Sequence, residues 1–149
     1  MICTEKLNLR IEGRLMFNKM KIDHIGYAVK RIDRAITALD KLGYAFGPVI
    51  DDLDRNVQLV FGNKDGYRIE LVSPLNKKKE SPVDHYLSNA TGTPYHICYA
   101  SSDFERDIES LKEYGFKIII EPRAAIAFDY KRVVFMMNIG FGLMEIVEE

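Results

Sequence analysis

Cys3 and Cys98 are the only two cysteines in this 149-residue chain. That is too few for a disulfide framework and fits a reducing cytoplasm. Neither sign of charge is in excess, with 21 Lys and Arg against 22 Asp and Glu. No basic field therefore recommends a nucleic acid or an anionic membrane as partner. No apolar run approaches the length that spans a bilayer. The opening MICTEKLNLRIEGRLMFNKM mixes charged with apolar residues, where a secretory signal needs an unbroken apolar core. Hydrophobic residues at 47% and charged residues at 29% are ordinary for a folded chain. One compact cytoplasmic domain is the expectation.

What the chain does have is a repeat. DHIGYA begins at Asp23 and YHICYA at Tyr95, 72 residues later. Laying His24 on His96 aligns Ile25 with Ile97, Tyr27 with Tyr99 and Ala28 with Ala100. The same register carries on through Arg34/Arg106, Ile36/Ile108, Leu39/Leu111 and Gly43/Gly115, giving eight identities over twenty positions. Further along, VQLVF (57–61) matches KRVVF (131–135), and RIELV (68–72) matches LMEIV (143–147), after a shift of two or three residues.

Each copy reads alike. An alternating strand, Ile22–Val29 or Pro94–Ala100, is followed by a helix with one apolar stripe: Ile32, Ile36 and Leu39, or Phe104, Ile108 and Leu111. Gly43 and Gly115 stand where a helix ends in a left-handed turn. Three strands close each unit, at about 44–50, 57–62 and 67–72, then 117–121, 132–137 and 143–148. The predicted fold is α+β, with tandem βαβββ modules at 21–73 and 94–149 forming one cupped mixed sheet. A polar linker, 74–93, carries a short helix over Pro82–Ser88 with Ser81 as its N-cap. Residues 1–20 precede the repeat, and Met16 and Met20 stand just before it as alternative starts. Deleting Met1–Phe17 is expected to leave melting temperature and metal binding nearly unchanged; a large loss of either would show that the segment packs on the core.

Alternation assigns the faces. Ile25, Tyr27 and Val29 turn toward the helix, leaving His24 with Gly26 and Ala28 on the other side; His96, Cys98 and Ala100 match them. Ile69 and Leu71 flank Glu70, and Met144 and Ile146 flank Glu145, so both carboxylates also face away from the helices. A lone strand histidine is usually a hydrogen-bonded structural residue. A carboxylate among Ile and Leu is harder to explain, because burial demands a cation, a partner or a proton. Two His and two Glu at equivalent positions share one explanation, a divalent metal ion held by His24, Glu70, His96 and Glu145. The other polar features read as structural. His85 is expected on the solvent side of the linker helix, Lys77–Lys79 in a solvated loop, and 140–142 in a hairpin turn. Cys98 reads as a small packing residue.

With these residues in place, HIGYAV, YRIELVSPL, ESPVDHYL, PYHICYA and GLMEIVEE resemble the vicinal oxygen chelate superfamily. The likeness is to the branch that holds glyoxalase I (lactoylglutathione lyase) and methylmalonyl-CoA epimerase, and it spans 21–149. It implies the glyoxalase/bleomycin-resistance/dioxygenase fold. It also implies metal ligands at His24, Glu70, His96 and Glu145, with Glu145 or Glu70 as the base; two imidazoles with two carboxylates suit nickel, cobalt, zinc or manganese. The implied reaction removes a proton beside a carbonyl and passes through an enediolate. Tyr95-His96 in place of paired histidines, and Met137-Asn138-Ile139 before the last strand, are closer to glyoxalase I; ESPVDHYL is closer to the epimerase. The expectation is therefore a glyoxalase I-like isomerase or lyase acting on a hemithioacetal. An epimerase of a methylmalonyl thioester is the alternative, with a dioxygenase or an antibiotic-binding protein behind it. The resemblance also implies a homodimer.

Overall fold

The computed structural model describes residues 19–149. The expectations for Met1–Phe17 lie outside those residues. The strands are β1 (Lys21–Val29), β2 (Ala45–Phe46), β3 (Ile50–Asp52), β4 (Val57–Lys64), β5 (Tyr67–Pro74), β6 (Gly92–Ser101), β7 (Lys117–Ala124), β8 (Arg132–Asn138) and β9 (Gly142–Glu148). The helices are α1 (Ile32–Asp40), α2 (Asp84–Leu87) and α3 (Phe104–Glu113), with a 3₁₀ turn at Ile126–Phe128. All nine strands of the described residues join one curved open sheet, in the order β2-β4-β5-β1-β6-β9-β8-β7, with β3 also on β4. This is the mixed α+β cup expected, built from two βαβββ halves. Each half pairs its first and last strands in parallel, β1 with β5 and β6 with β9.

The halves meet where β1 runs antiparallel to β6. Ile25 faces Ile97 there, with His24 opposite Cys98 and Gly26 opposite His96. A pseudo-twofold axis thus runs through the Ile25–Ile97 pair, and the histidines sit one step to either side of it.

Helices α1 and α3 end by the same chemistry. Tyr44 N–H donates to Leu39 O and Gly43 N–H to Asp40 O; Phe116 N–H donates to Leu111 O and Gly115 N–H to Lys112 O. Both glycines take φ of +87°, the left-handed conformation this pattern of capping bonds requires. Ile32, Val60, Ile69 and Leu71 form the core under α1, with Ile36 and Leu39 packed on it. Phe104, Ile108, Leu111, Val134, Met144 and Ile146 form the core under α3. Each fully buried aliphatic side chain contributes about 1.5–3 kcal/mol, and the opposite face of each strand is left free to line the cup. Buried clusters centred on Val57, Leu59 and Val72, and on Cys98, Val133 and Val147, lie inside it.

Several details differ from the sequence reading. The strand expected at about 44–50 is broken into β2 and β3, because Pro48 has no N–H to give a ladder. Gly47 N–H bonds Phe61 O just before the break. The linker helix is shorter than Pro82–Ser88. Val83, not Ser81, stands at its N-cap, without a side-chain cap; Ser81 instead orders the preceding turn, with Val83 N–H bonding Ser81 Oγ at 3.3 Å and Ser81 N–H bonding the Asp84 carboxylate at 2.8 Å. Ile25 does not pack under a helix. It is 36% exposed at the module junction, facing Ile97.

Candidate functional site

His24 and His96 stand on the two central strands, and Glu70 and Glu145 on their outer neighbours. Alternation delivers all four into the cup, as the sequence predicts. Register completes the convergence: Glu70 lies beside Gly26 and Phe61, and Glu145 beside Cys98 and Phe135. All four side chains are buried. His24 Nε2 lies 3.2 Å from Glu70 Oε2 and 3.4 Å from Glu145 Oε2. His96 Nε2 lies 3.0 Å from Glu145 Oε2 and 3.6 Å from Glu70 Oε2. The two Nε2 atoms are 3.1 Å apart. The repeat extends to the rings behind them. Phe61 meets His24 edge-on at 5.3 Å and Phe135 meets His96 edge-on at 5.5 Å, while Phe128 from the 3₁₀ turn stacks on His24 at 5.9 Å.

Proton accounting shows what this cluster lacks. The Asp23 carboxylate can only accept, so the 2.7 Å bond from His24 Nδ1 places the proton there. In the neutral ring Nε2 then carries a lone pair. Burial opposes charge on His24, but the Asp23 bond, with Cys98, Glu145 and Glu70 close by, holds its pKa far above the ordinary histidine value. Burial likewise opposes charge on Glu145, yet His24 and His96 hold its carboxyl well below the usual range. Glu145 Oε2 and His96 Nδ1 have no hydrogen-bond partner among the described residues. The site therefore calls for positive charge, from a proton or a cation. Metal bonds of about 2.0–2.2 Å place neighbouring ligand atoms about 3–3.5 Å apart, matching the separations found. His24, Glu70, His96 and Glu145 could hold a divalent metal ion.

A cavity of about 320 Å³ rises from the two carboxylates, walled by Leu59, Val72, Tyr86, Tyr95, Phe135 and Leu143. At its far rim the two modules are tied together. Arg55 reaches Ala124 O at 3.0 Å, and Arg123 reaches Asp54 at 3.0 Å. Cys98 is fully buried, and its thiol is pushed up by burial and by the Glu145 charge, in keeping with a packing residue. His85 and Lys77–Lys79 are exposed, and Phe141 N–H bonds Asn138 O across the β8–β9 hairpin.

The sequence reading missed Asp23, Tyr95, Arg68 and Phe128. Strict alternation puts residues 23 and 95 on the helix side, but each is bulged. The signal available was an acidic residue next to a strand histidine.

A twinned cup with two histidines and two carboxylates buried at the floor of a cavity defines the class: a small-molecule site built by duplication. The chain belongs to the glyoxalase/bleomycin resistance protein/dioxygenase superfamily, whose profile matches residues 23–135. It is 29% identical to the ethylmalonyl-CoA/methylmalonyl-CoA epimerase of Cereibacter sphaeroides over 118 residues, covering 78% of this chain and 87% of that one. Among solved structures, a hypothetical protein from Bacillus halodurans matches with a TM-score of 0.77 at 26% identity, covering 89% of this chain and 96% of that one. The methylmalonyl-CoA epimerase of Mycobacterium tuberculosis matches with a TM-score of 0.73 at 25% identity, covering 85% and 86%. These relatives favour the epimerase alternative over the glyoxalase I-like reading placed first from sequence. Among the described residues, no helix is long and apolar enough to cross a membrane.

Proposed function

We propose that the protein is a metal-dependent epimerase that inverts the carbon between the carbonyl and the carboxylate of a methylmalonyl-type coenzyme A thioester. The observation that carries this is the meeting of Glu70 and Glu145, from opposite modules, at the floor of one apolar cavity. Inversion needs a proton removed from one face of a carbon and returned on the other, and two carboxylates brought in from opposite modules suit that task. His24, Glu70, His96 and Glu145 would hold the ion, whose contribution when bound is Lewis-acid polarisation of the thioester carbonyl. Glu145 is ionised when the substrate arrives, its carboxyl held below the usual range by His24 and His96, and takes the proton. A Glu70 carboxyl that enters the turnover protonated returns its proton on the opposite face, leaving Glu70 ionised and Glu145 protonated, the state that runs the reverse inversion. The apolar cavity walls keep bulk water off the reacting carbon, while the carboxyl protons exchange with solvent between turnovers. The coenzyme A thioesters named for the relatives support this substrate class.

The test is solvent deuterium incorporation into methylmalonyl-CoA by metal-reconstituted protein, run beside the hemithioacetal of methylglyoxal. Deuterium at the α-carbon, with interconversion of the epimers, is the expected result. Turnover of the hemithioacetal alone would restore the glyoxalase reading, and no exchange in either substrate would end the proton-transfer mechanism.

A further inference from the structure

Each central strand carries a bulge one residue before its histidine. On β1 the pairing passes from Ile22–Tyr99 to His24–Cys98 and steps over Asp23; on β6 it passes from Gly26–His96 to Tyr27–Pro94 and steps over Tyr95. Asp23 and Tyr95 are repeat equivalents. A bulge re-aims the stepped-over side chain, so each histidine gains a companion that alternation alone would deny it. Asp23 bonds His24 Nδ1, and the Tyr95 ring lies 4.4 Å from the His96 ring.

The companions differ in kind. Asp23 is also bonded by Arg68 at 2.8 Å, and the Arg68 guanidinium lies 3.9 Å over the Phe61 ring. In the second copy the equivalents of Asp23 and Arg68 are Tyr95 and Leu143. His96 Nδ1 consequently has no partner among the described residues. The consequences reach the surface. Tyr95 and Leu143 wall the inner cavity and also an outer groove that runs past His96 to Met137 and Phe141. Asp23 and Arg68 touch neither, and line a separate pocket beside Lys131 and Glu148.

We propose that duplication was followed by a division of labour between the two halves. Asp23 with Arg68 is a positioning pair that commits His24 to the metal and seals its end of the cup. Tyr95 with Leu143 leaves the end beside His96 open as the passage for the long thioester arm of the substrate. The passage half rests on the coenzyme A reading above; the positioning half does not. A carboxylate behind a metal-binding imidazole fixes its tautomer and raises its basicity, and losing one typically weakens metal binding about 10–100-fold.

Two measurements test this. Chelator competition and the visible spectrum of the cobalt-loaded protein are read for Asp23→Ala and Asp23→Asn. Asp23→Ala should weaken metal binding about 10–100-fold and shift the cobalt bands, with Asp23→Asn, which keeps an acceptor, recovering most of both. Affinity within about twofold of the parent for Asp23→Ala would overturn the positioning role. Calorimetry with coenzyme A itself, on metal-loaded parent, Leu143→Arg and the exposed-rim variant Phe141→Asp, tests the passage. The parent should bind and both variants should bind at least about tenfold more weakly, with metal affinity kept. No binding by the parent, or equal binding by all three, would overturn the passage. Binding of coenzyme A without epimerisation would instead sink the substrate reading and leave the passage standing.

Discussion

Glu145→Gln is expected to cut turnover by about 10²–10⁴-fold, the usual worth of a general base, while removing only part of the metal affinity. The substitution is isosteric, and Glu145 is held between Cys98 on β6 and Phe135 on β8, so the side chain stays in place. A glutamine keeps a neutral oxygen facing the cluster but cannot take a proton. The loss corresponds to about 3–5 kcal/mol of transition-state stabilisation. A deuterium wash-in assay at saturating metal separates this from simple metal loss. Turnover within tenfold of the parent at full occupancy would remove Glu145 from the role of base. Glu70→Gln in the same assay then reports which carboxylate serves which face.

A second large effect is expected from one added methyl group. Gly26 lies directly opposite His96 across the module seam. A Cβ there would stand 2.1 Å from His96 Cε1 and 2.4 Å from Nδ1, contacts no structure can hold. The ring is already bounded by Tyr95 and Phe135, so it has to leave its position or push the strands apart. Gly26→Ala should therefore weaken metal binding by more than about 100-fold, beyond the loss of a supporting residue, since a ligand itself is displaced. Overpacking should also cost stability, about 1–3 kcal/mol. Both are read by metal titration and thermal unfolding of the apoprotein. Metal affinity within tenfold of the parent would mean that His96 is not a ligand, or that the seam yields more easily than its packing indicates.

The repeat and the alternation of residues determined more of this protein than its composition did. A strand has a period of two, so once Ile69 and Leu71 are assigned to a helix-facing core, Glu70 must face the other way; Met144 and Ile146 do the same for Glu145. The offset linking His24 to His96 then places both imidazoles on the carboxylates' face. Both glycine-terminated helices were legible for a similar reason, since the left-handed turn is a local preference. What sequence could not decide was anything set by strand pairing. The bulges at Asp23 and Tyr95 exist only in the β1–β6 ladder, and each defeats the alternation rule where it matters most. The need for glycine at 26 comes from an imidazole 70 residues away in the chain. The preference for glyoxalase over epimerase rested on residues 95 and 137–139, which tertiary structure makes walls of a groove and part of a hairpin. Local preferences fix which face a side chain takes. Only packing of the two halves decides which atoms come within 3.0–3.6 Å of one another, because those distances depend on register and not on any residue's own tendency.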